Sequence, residues 1–294
     1  MRVSQTLLNN LVMQKTARAQ RGLVEASSKL SARSRVMRPS DDPVGASRLR
    51  RLQRSEARLS TLGYNRQTVR GDLEGAETLL ESIHNQIVRA QELAMQMSND
   101  SMNEADRAAA GREVELMFDQ VIGLANRRQS GNNYLFGGLR DDTPALAADG
   151  TYLGNDLNRV VEVAPGIEIE ATLTGTEAFG DGMSVLQTIS SLAEALNDPD
   201  NTGEDIGAFL GELNDARNTI SLARTEVGTR LSRLDELDEL SADLATSIEL
   251  DKADVEAVDF AAGAAEFAAA QVALNAVIDT SRTMLDYGSG SWLR

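Results

Sequence analysis

The last stretch of the chain carries apolar residues at helical spacing. From Phe260 to Leu285 one face recurs every three or four residues, as in a helix that packs lengthwise on another helix. That face consists of Phe260, Ala264, Phe267, Gln271, Leu274, Ile278, Ser281 and Leu285. The start of the chain shows the same helical spacing, at Val3, Leu7, Leu8, Leu11, Val12, Ala19, Leu23, Ala26 and Leu30. We therefore predict amphipathic helices at both ends of the chain that pair with each other.

The middle of the chain contains two longer helical repeats with a different texture between them. The first repeat runs from Leu52 to Met97 and the second from Ile206 to Ile248, and only Ser55, Arg66, Arg230 and Ser241 interrupt their apolar positions. Gly, Pro, Asp and Thr become frequent in between, and two short alternating runs predict strands: 159–163 and 167–173. We predict a mainly α protein with a small β insert, folded as an elongated antiparallel helical rod.

This layout predicts three domains, two of them built from both halves of the chain. They are a terminal helical assembly domain (1–42 and 253–294), a helical rod domain (43–137 and 183–252) and a small β-rich outer domain (138–182). An unbroken rod helix from 43 to 97 would be about 80 Å long, at about 1.5 Å per residue.

Local signals predict where several helices begin and end. Asp42 is placed to cap a helix whose first residue is Pro43, since proline fits the first helical position. Ser101 and Glu104 have the spacing of a capping box for a third helix. That helix is expected to end near Gly131, because glycine commonly follows a helix C-terminus.

Charge supports the pairing of the two ends. Residues 1–60 carry thirteen Lys/Arg against four Asp/Glu, whereas residues 235–294 carry thirteen Asp/Glu against three Lys/Arg. Opposite charges favour encounter of the two segments, although exposed ion pairs add little stability. The pattern does not distinguish pairing within one chain from pairing between chains.

Composition argues against catalysis, metal binding, nucleic acid and membranes. The chain has no Cys and one His, His84, so a metal site would need carboxylates alone, and we expect no metal and no cofactor. The net charge of −16 disfavours nucleic acid as the main partner. No secretory signal is visible, and no run of about 18 apolar residues is present that could span a bilayer.

Several short motifs of this chain resemble those of the flagellin superfamily. The chain opens with Met1-Arg2-Val3-Ser4, and its first turn contains Pro39, Asp41, Asp42 and Pro43. The end of the third helix contains Asn126-Arg127 and then Gly131-Asn132-Asn133-Tyr134-Leu135-Phe136-Gly137-Gly138, followed by insert segments like the family's, at 152–155 and 175–179. The resemblance covers nearly the whole chain, apart from an unusual extension at 288–294.

The resemblance implies a non-enzymatic component of the extracellular flagellum that forms a ring. Such a ring joins the hook, through a neighbouring hook-associated protein, to the flagellin filament. It also implies export through the flagellar type III channel without a cleavable signal, and an export chaperone that meets the C-terminal segment.

For this role the candidate assembly interface is drawn from both terminal helices: Val3, Leu7, Leu11, Leu23, Leu30, Phe260, Phe267, Leu274, Ile278 and Leu285. The candidate motif turns contain Pro39, Asp41, Asp42, Pro43, Tyr134, Phe136 and Gly137. Because isolated helices of this length are marginal in water, we expect both ends to become ordered only on neighbouring subunits.

Two other functions stay open from the sequence. A minor flagellin would share the terminal helices, although flagellins usually lack the Asp-Asp-Pro turn and the Tyr-Leu-Phe-Gly-Gly run. A cytosolic coiled-coil scaffold would show the same heptads without export. An enzyme is disfavoured, because no convergent set of reactive groups is visible.

Overall fold

The computed structural model describes residues 2–31, 39–40, 42–128, 133–257 and 260–290, with backbone only at the outermost turns of the terminal helices. Helices dominate, as predicted, and the strands form one small antiparallel sheet. The elements in chain order are α1 (Arg2–Ser31), α2 (Pro43–Met97), α3 (Glu104–Ala125), β1 (Val160–Ala164), β2 (Ile167–Glu170), α4 (Gly175–Phe179), α5 (Ser184–Asn197), α6 (Gly203–Glu256) and α7 (Phe260–Gly290).

The chain forms two compact units. Unit 1 comprises 1–57 and 245–294, and unit 2 comprises 58–244. Unit 1 contains α1, α7, the first turns of α2 and the last turns of α6. Unit 2 contains the remainder of α2 and α6 and everything between them.

The core of unit 2 follows the predicted heptads. From Leu62 onward every predicted α2 position is buried: Leu62, Arg66, Val69, Leu73, Ala76, Leu80, Ile83, Ile87, Ala90, Ala94 and Met97. Three ion pairs then fix the direction of α6 against α2, because later α2 residues meet earlier α6 residues: Arg66 with Asp238, Arg70 with Asp235, and Arg224 with Glu77. The two helices therefore run antiparallel in this unit, and α3 and α5 pack on each other beside them.

The β insert is a hairpin with a short helix behind it. β1 and β2 pair antiparallel, with Val161 opposite Ile169, and the connecting turn is Pro165-Gly166, as predicted. Gly166 has φ of 73°, in the left-handed region where only glycine is unstrained. Helix α4 was not predicted; Thr174 and Glu177 form its capping box.

The predicted boundaries of the third helix were wrong at both ends. Its capping box is Asn103 with Asp106, because the Ser101 backbone N–H donates to Asn99 Oδ1 (3.0 Å), which keeps the chain in a turn there. The helix ends at Ala125 instead of near Gly131, which lies outside the described residues. The side chain of Asn126 bonds to both backbone groups of Leu146, at 2.7 and 2.9 Å, and this contact accompanies the end of the helix.

One expectation about membranes needs correction. Within 203–283 one helical stretch has an 18-residue window of mean hydropathy 1.4 with few charges, long and apolar enough to cross a membrane by length and composition alone. The sequence argument missed it because it required an unbroken apolar run, whereas alanine-rich helices reach this average despite polar residues. Such a window is weak evidence for a span, since helices of soluble proteins also pass the test.

Candidate assembly interface

The terminal helices α1 and α7 pack on each other in unit 1. A Cβ on Gly263, near the start of α7, would lie 3.2 Å from Leu30 Cδ1, near the end of α1. The beginning of one helix thus contacts the end of the other, and the pair is antiparallel. Gly263 permits this close approach because it has no side chain.

The candidate interface residues of α1 are of two kinds, half-buried and exposed. Leu23 and Leu30 are half-buried, whereas Leu7 is 65% exposed and Leu11 is 49% exposed. The Val3 side chain lies outside the described residues. Ala26 is the single buried residue among the described side chains of the two helices.

The α7 candidates divide in the same way. Phe267, Leu274 and Ile278 are half-buried, but Phe260 is 67% exposed, and the side chain of Leu285 lies outside the described residues. Half-buried positions recur along α7 at spacings of three and four: Gly263, Phe267, Ala270, Leu274, Ile278 and Ser281. The contact seam is therefore shifted relative to the sequence prediction, and Ala264 and Gln271 face outward.

An open apolar surface remains on the pair. The large apolar side chains exposed on α1 and α7 are Leu7, Leu11, Met13, Val24, Phe260 and Val272. Sequence reasoning missed Met13 and Val24, because each lies off the predicted stripe of its helix; Val272 belongs to a second, smaller apolar stripe of the last helix, with Ala261, Ala265 and Ala268. These side chains are accessible for contact with another protein.

Two basic side chains of α1 have no ion-pair partner among the described residues. Lys15 and Arg18 are exposed and form no ion pair with any residue that the structure describes. The opposite net charges of the two ends therefore do not act through these side chains within one chain. They are available to a second molecule.

The first family motif forms the start of α2. The Asp42 carboxylate accepts hydrogen bonds from the backbone N–H groups of Val44 (3.1 Å) and Gly45 (2.8 Å), and Pro43 is the first helical residue. The predicted cap is confirmed. Pro39 is exposed before it, and Asp41 lies outside the described residues.

Replacing Asp42 by alanine should weaken this helix start. Two N–H groups would lose their acceptor, so we expect the free energy of unfolding to fall by about 1 kcal/mol, the usual effect of losing a cap. Thermal unfolding followed by circular dichroism measures the change. Asp42→Asn is the matched control, because asparagine also caps and should restore most of the stability; equal losses in both variants would contradict the capping role.

The second family motif anchors the β insert. Phe136 is fully buried and its ring meets that of Phe179 edge-on, with centroids 5.5 Å apart. The Tyr134 ring lies under the guanidinium of Arg128, 4.9 Å from Cζ to centroid. The carbonyl of Gly137 accepts hydrogen bonds from the backbone N–H groups of Arg140 (3.2 Å) and Asn155 (3.1 Å).

Tyr152 connects this motif to the rest of the insert. Its hydroxyl donates toward the carbonyls of Phe136 (3.1 Å) and Asn155 (2.8 Å) and accepts from the Gly175 backbone N–H (3.1 Å). Burial raises the pKa of this phenol. The tyrosine is thus a structural hydrogen-bonding centre, and Gly175 is small because its Cβ would overlap the Tyr152 ring.

Two buried arginines attach the hairpin region to the rod helices. Arg66 on α2 donates to the Val163 carbonyl of β1 (2.8 Å) and to Asp238 of α6 (2.5 Å). Arg230 on α6 donates to the Thr172 carbonyl just after β2 (3.0 Å). These are the two charged residues that interrupt the apolar heptads, and each satisfies a backbone carbonyl of the insert while its stem packs in the seam.

The arginines at this contact lower the pKa of the Asp238 carboxylate. Desolvation, the largest single influence, acts to raise its pKa, but hydrogen bonds from Arg66 and Arg70 outweigh it and the pKa lies below its usual range. The carboxylate is therefore ionised at neutral pH, which keeps both arginines paired.

The described residues show no arrangement of reactive groups. They contain no group of three or more His, Asp or Glu side chains that could hold a metal ion. His84 is half-buried, and desolvation, followed by the charges of Arg224 and Arg217, lowers its pKa. Glu81 acts in the opposite direction, and the His84 ring forms no hydrogen bond with a nucleophilic side chain among the described residues, as a catalytic triad would need.

Comparison with known proteins agrees with this architecture. The family described as bacterial flagellin N-terminal helical region matches residues 3–141. The flagellar hook-associated protein 3 of Escherichia coli (strain K12) is 27% identical, with 94% of each chain covered.

Solved structures of similar proteins share the fold. The crystal structure of Bacillus cereus FlgL superposes with a TM-score of 0.61 at 23% identity, covering 69% of this chain and 99% of the other. The flagellar junction protein FlgL from Legionella pneumophila superposes with a TM-score of 0.58 at 15% identity, covering 71% and 99%. The near-full-length relative and the shared fold support a structural flagellar role for the chain, and the family match shows that its N-terminal part is similar to bacterial flagellin.

Proposed function

We propose that this chain joins the flagellar hook to the flagellin filament as a ring of identical subunits. The observation that carries the proposal is the open apolar surface of the terminal helix pair, defined by Leu7, Leu11, Met13, Val24, Phe260 and Val272. A helix pair with a single buried residue among its described side chains gains little from its own packing, because hydrophobic stabilisation scales with the apolar area removed from water. Neighbouring subunits would supply the missing cover.

The resemblance to hook-associated protein 3 and to a flagellar junction protein supports the position of the ring. Its partners would be further copies of itself, a neighbouring hook-associated protein on the hook side and flagellin on the filament side. In this proposal α1 and α7 face the axis of the assembly and mediate most of the contacts. The three-domain division given by the sequence, with boundaries at 42/43, 137/138, 182/183 and 252/253, belongs to the same proposal.

Export would proceed through the flagellar type III channel without a cleavable signal, with a chaperone on the C-terminal segment. The absence of Cys suits this route, because an unfolded chain in transit cannot form disulfides. The chaperone would cover the same apolar residues of α7 that later contact neighbouring subunits, since both events need Phe260 and Val272 accessible. Ordering of the terminal segments on neighbours stays a prediction.

Deletion of the gene tests the proposed position. We expect cells with hooks that bear no filament, and flagellin released into the medium, as seen by electron microscopy and by analysis of the culture supernatant. Cells that keep attached filaments would contradict the junction role, and incorporation of the chain along the filament would indicate a minor flagellin instead.

A surface variant tests the site separately from the gene. Phe260→Ser with Val272→Ser should reduce filament attachment strongly, because both side chains lie on the open apolar surface. Leu116→Ser with Leu222→Ser is the matched control: these side chains are 62% and 71% exposed, but on unit 2. Equal loss in both pairs would argue against a specific role of the terminal helices.

A further inference from the structure

One side of α1 presents apolar residues followed by basic residues. Four residues at spacings of four, four and three lie on this side of the helix: Leu7, Leu11, Lys15 and Arg18. We call them the α1 stripe. Leu7 is 65% exposed and Leu11 is 49% exposed, and both basic side chains are exposed as well. The half-buried residues in the middle of α1 lie on a different side of the helix: Val12, Thr16, Ala19 and Leu23.

The charge of the terminal helix pair differs from that of the whole chain. Helix α1 carries five Lys/Arg and one acidic residue, and α7 carries one Arg and three acidic residues. The pair therefore has an excess of two positive charges, in a chain whose net charge is −16. Lys15 and Arg18 form no ion pair within the described part of the chain. Because salt screens charges beyond about 8 Å, a negatively charged surface is attracted mainly by the basic side chains that it touches.

Helix α7, which packs on α1, adds little charge to this surface. Between 260 and 278 it carries a single charged residue, Glu266, and Phe260 and Val272 are each 67% exposed. An 18-residue window within 203–283 has a mean hydropathy of 1.4, and none of it is buried. Helices in water normally keep only one face apolar and bury that face. An apolar helix that stays unburied beside the α1 stripe therefore fits a partner that is both apolar and negatively charged.

We propose that the free subunit binds the surface of an anionic lipid bilayer through the α1 stripe. Such a bilayer offers phosphate groups at the level of the headgroups and hydrocarbon directly below them. Leu7 and Leu11 enter the hydrocarbon boundary, while Lys15 and Arg18 keep their charges among the phosphates, because long basic side chains extend toward the headgroup layer. Each Lys or Arg at an anionic membrane surface strengthens the binding.

The helices lie on the bilayer in this proposal and do not cross it. Lys15 and Arg18 stand in the middle of α1, which runs from Arg2 to Ser31. A helix that crossed the membrane would place these charges near the centre of the hydrocarbon, where charged side chains are costly. In the plane of the surface the same two side chains meet the headgroups.

Co-sedimentation of the purified full chain with vesicles tests the proposal. The chain should bind vesicles that contain phosphatidylglycerol, and about tenfold less of it should bind vesicles of phosphatidylcholine alone, because these carry no net charge. Raising the salt concentration should release the chain, since screening weakens the attraction. Absence of binding to the anionic vesicles, or equal binding to both kinds, would overturn the proposal.

Charge reversal tests the basic half of the α1 stripe. Lys15→Glu with Arg18→Glu should lower binding to anionic vesicles about tenfold or more, since attraction becomes repulsion. Arg112→Glu with Arg127→Glu is the matched control, because it makes the same change in net charge on two exposed arginines of unit 2 that have no described ion pair. This control should bind like the wild type, and an equal loss in both variants would refute a specific site on α1.

The apolar half is tested in the same assay. Leu7→Ser with Leu11→Ser should lower binding about tenfold or more, because less apolar area is removed from water. Met13→Ser with Val24→Ser is the control on the same helix: these side chains are 71% and 67% exposed on another side of α1, and their change should leave binding unaltered. The helix content of every variant, measured by circular dichroism, should match the wild type. If both pairs lost binding equally, the α1 stripe would not be the membrane contact.

A fluorophore reports the position of the helix on the bilayer. The chain has no Cys, so Leu11→Cys and Met13→Cys each introduce a single thiol that can carry an environment-sensitive fluorophore. Anionic vesicles should shift the emission at position 11 to shorter wavelength and leave the emission at position 13 unchanged. A shift at position 13 alone would contradict the proposed orientation.

This inference concerns the subunit before it meets its neighbours, and none of these measurements requires a ring or a filament. Vesicle binding by the chain, together with attached filaments in the deletion strain, would retain the membrane contact and reject the junction role. Loss of filaments in the deletion strain, together with a chain that ignores anionic vesicles, would do the opposite.

Discussion

Phe136→Ala is expected to lower the free energy of unfolding of unit 2 by about 3–5 kcal/mol, the range for removing a buried phenylalanine ring. Phe136 is fully buried, and its edge-on contact with the ring of Phe179 would be lost together with its burial. The site has little freedom to collapse, because the Tyr152 hydroxyl holds the Phe136 carbonyl in place. Urea unfolding followed by circular dichroism measures the change in midpoint.

Leu139→Ala is the control for that experiment. Leu139 lies three residues further along the same segment, but it is 52% exposed, so its truncation should change stability by no more than about 0.5 kcal/mol. A Phe136 variant within about 1 kcal/mol of the wild type would show that the motif does not anchor the insert. A large loss would also explain why an aromatic residue stands between the tyrosine and the two glycines.

The second large effect concerns Arg66. Arg66→Ala should destabilise unit 2 by about 2–3 kcal/mol, because the buried Val163 carbonyl loses its donor and the seam loses the packing of the arginine stem. The partner carboxylate of Asp238 is 47% exposed, so water can replace the lost guanidinium on that side. The cost therefore arises mainly from the carbonyl and the cavity. Thermal unfolding gives the value.

Arg58→Ala is the matched control on the same helix. Arg58 also reaches β1, through Glu162 at 3.0 Å, but both side chains are well exposed at 61% and 41%. Exposed ion pairs contribute about 0–1 kcal/mol, so we expect a small effect. Equal losses of stability in the two variants would mean that the hydrogen bond to the buried Val163 carbonyl is not the reason why an arginine stands in the seam.

The heptads of α2 and α6 allowed the core of unit 2 to be predicted closely. Apolar residues at alternating spacings of three and four lie on one face of a long helix. The other faces of these helices are mostly polar, so this face is the one that is buried. The same pattern identified Arg66 and Arg230 as exceptions but could not give their role, because their carbonyl partners lie 97 and 58 residues away in sequence. Such partners follow from the tertiary fold and leave no local signal.

The terminal helix pair was predicted less well for a physical reason. Helix α7 is rich in alanine, so several neighbouring stripes are almost equally apolar and the periodicity does not select one of them. The structure uses Gly263 and Ala270, where the absence of bulk lets the helices approach, and leaves Phe260 outside. A search for large apolar residues at helical spacing places Phe260 in the contact and leaves out Gly263 and Ala270.

The arginine contacts of the β insert have a practical consequence. Arg66 and Arg230 hold backbone carbonyls, and backbone carbonyls are present whatever the side chains of the hairpin region are. The turn at Pro165-Gly166 is exposed, and a Cβ at Gly166 would meet no atom within 4 Å. This turn is therefore a natural place to insert an epitope or a fluorophore-binding tag, which would report where the molecule sits on a living cell without disturbing either terminal helix.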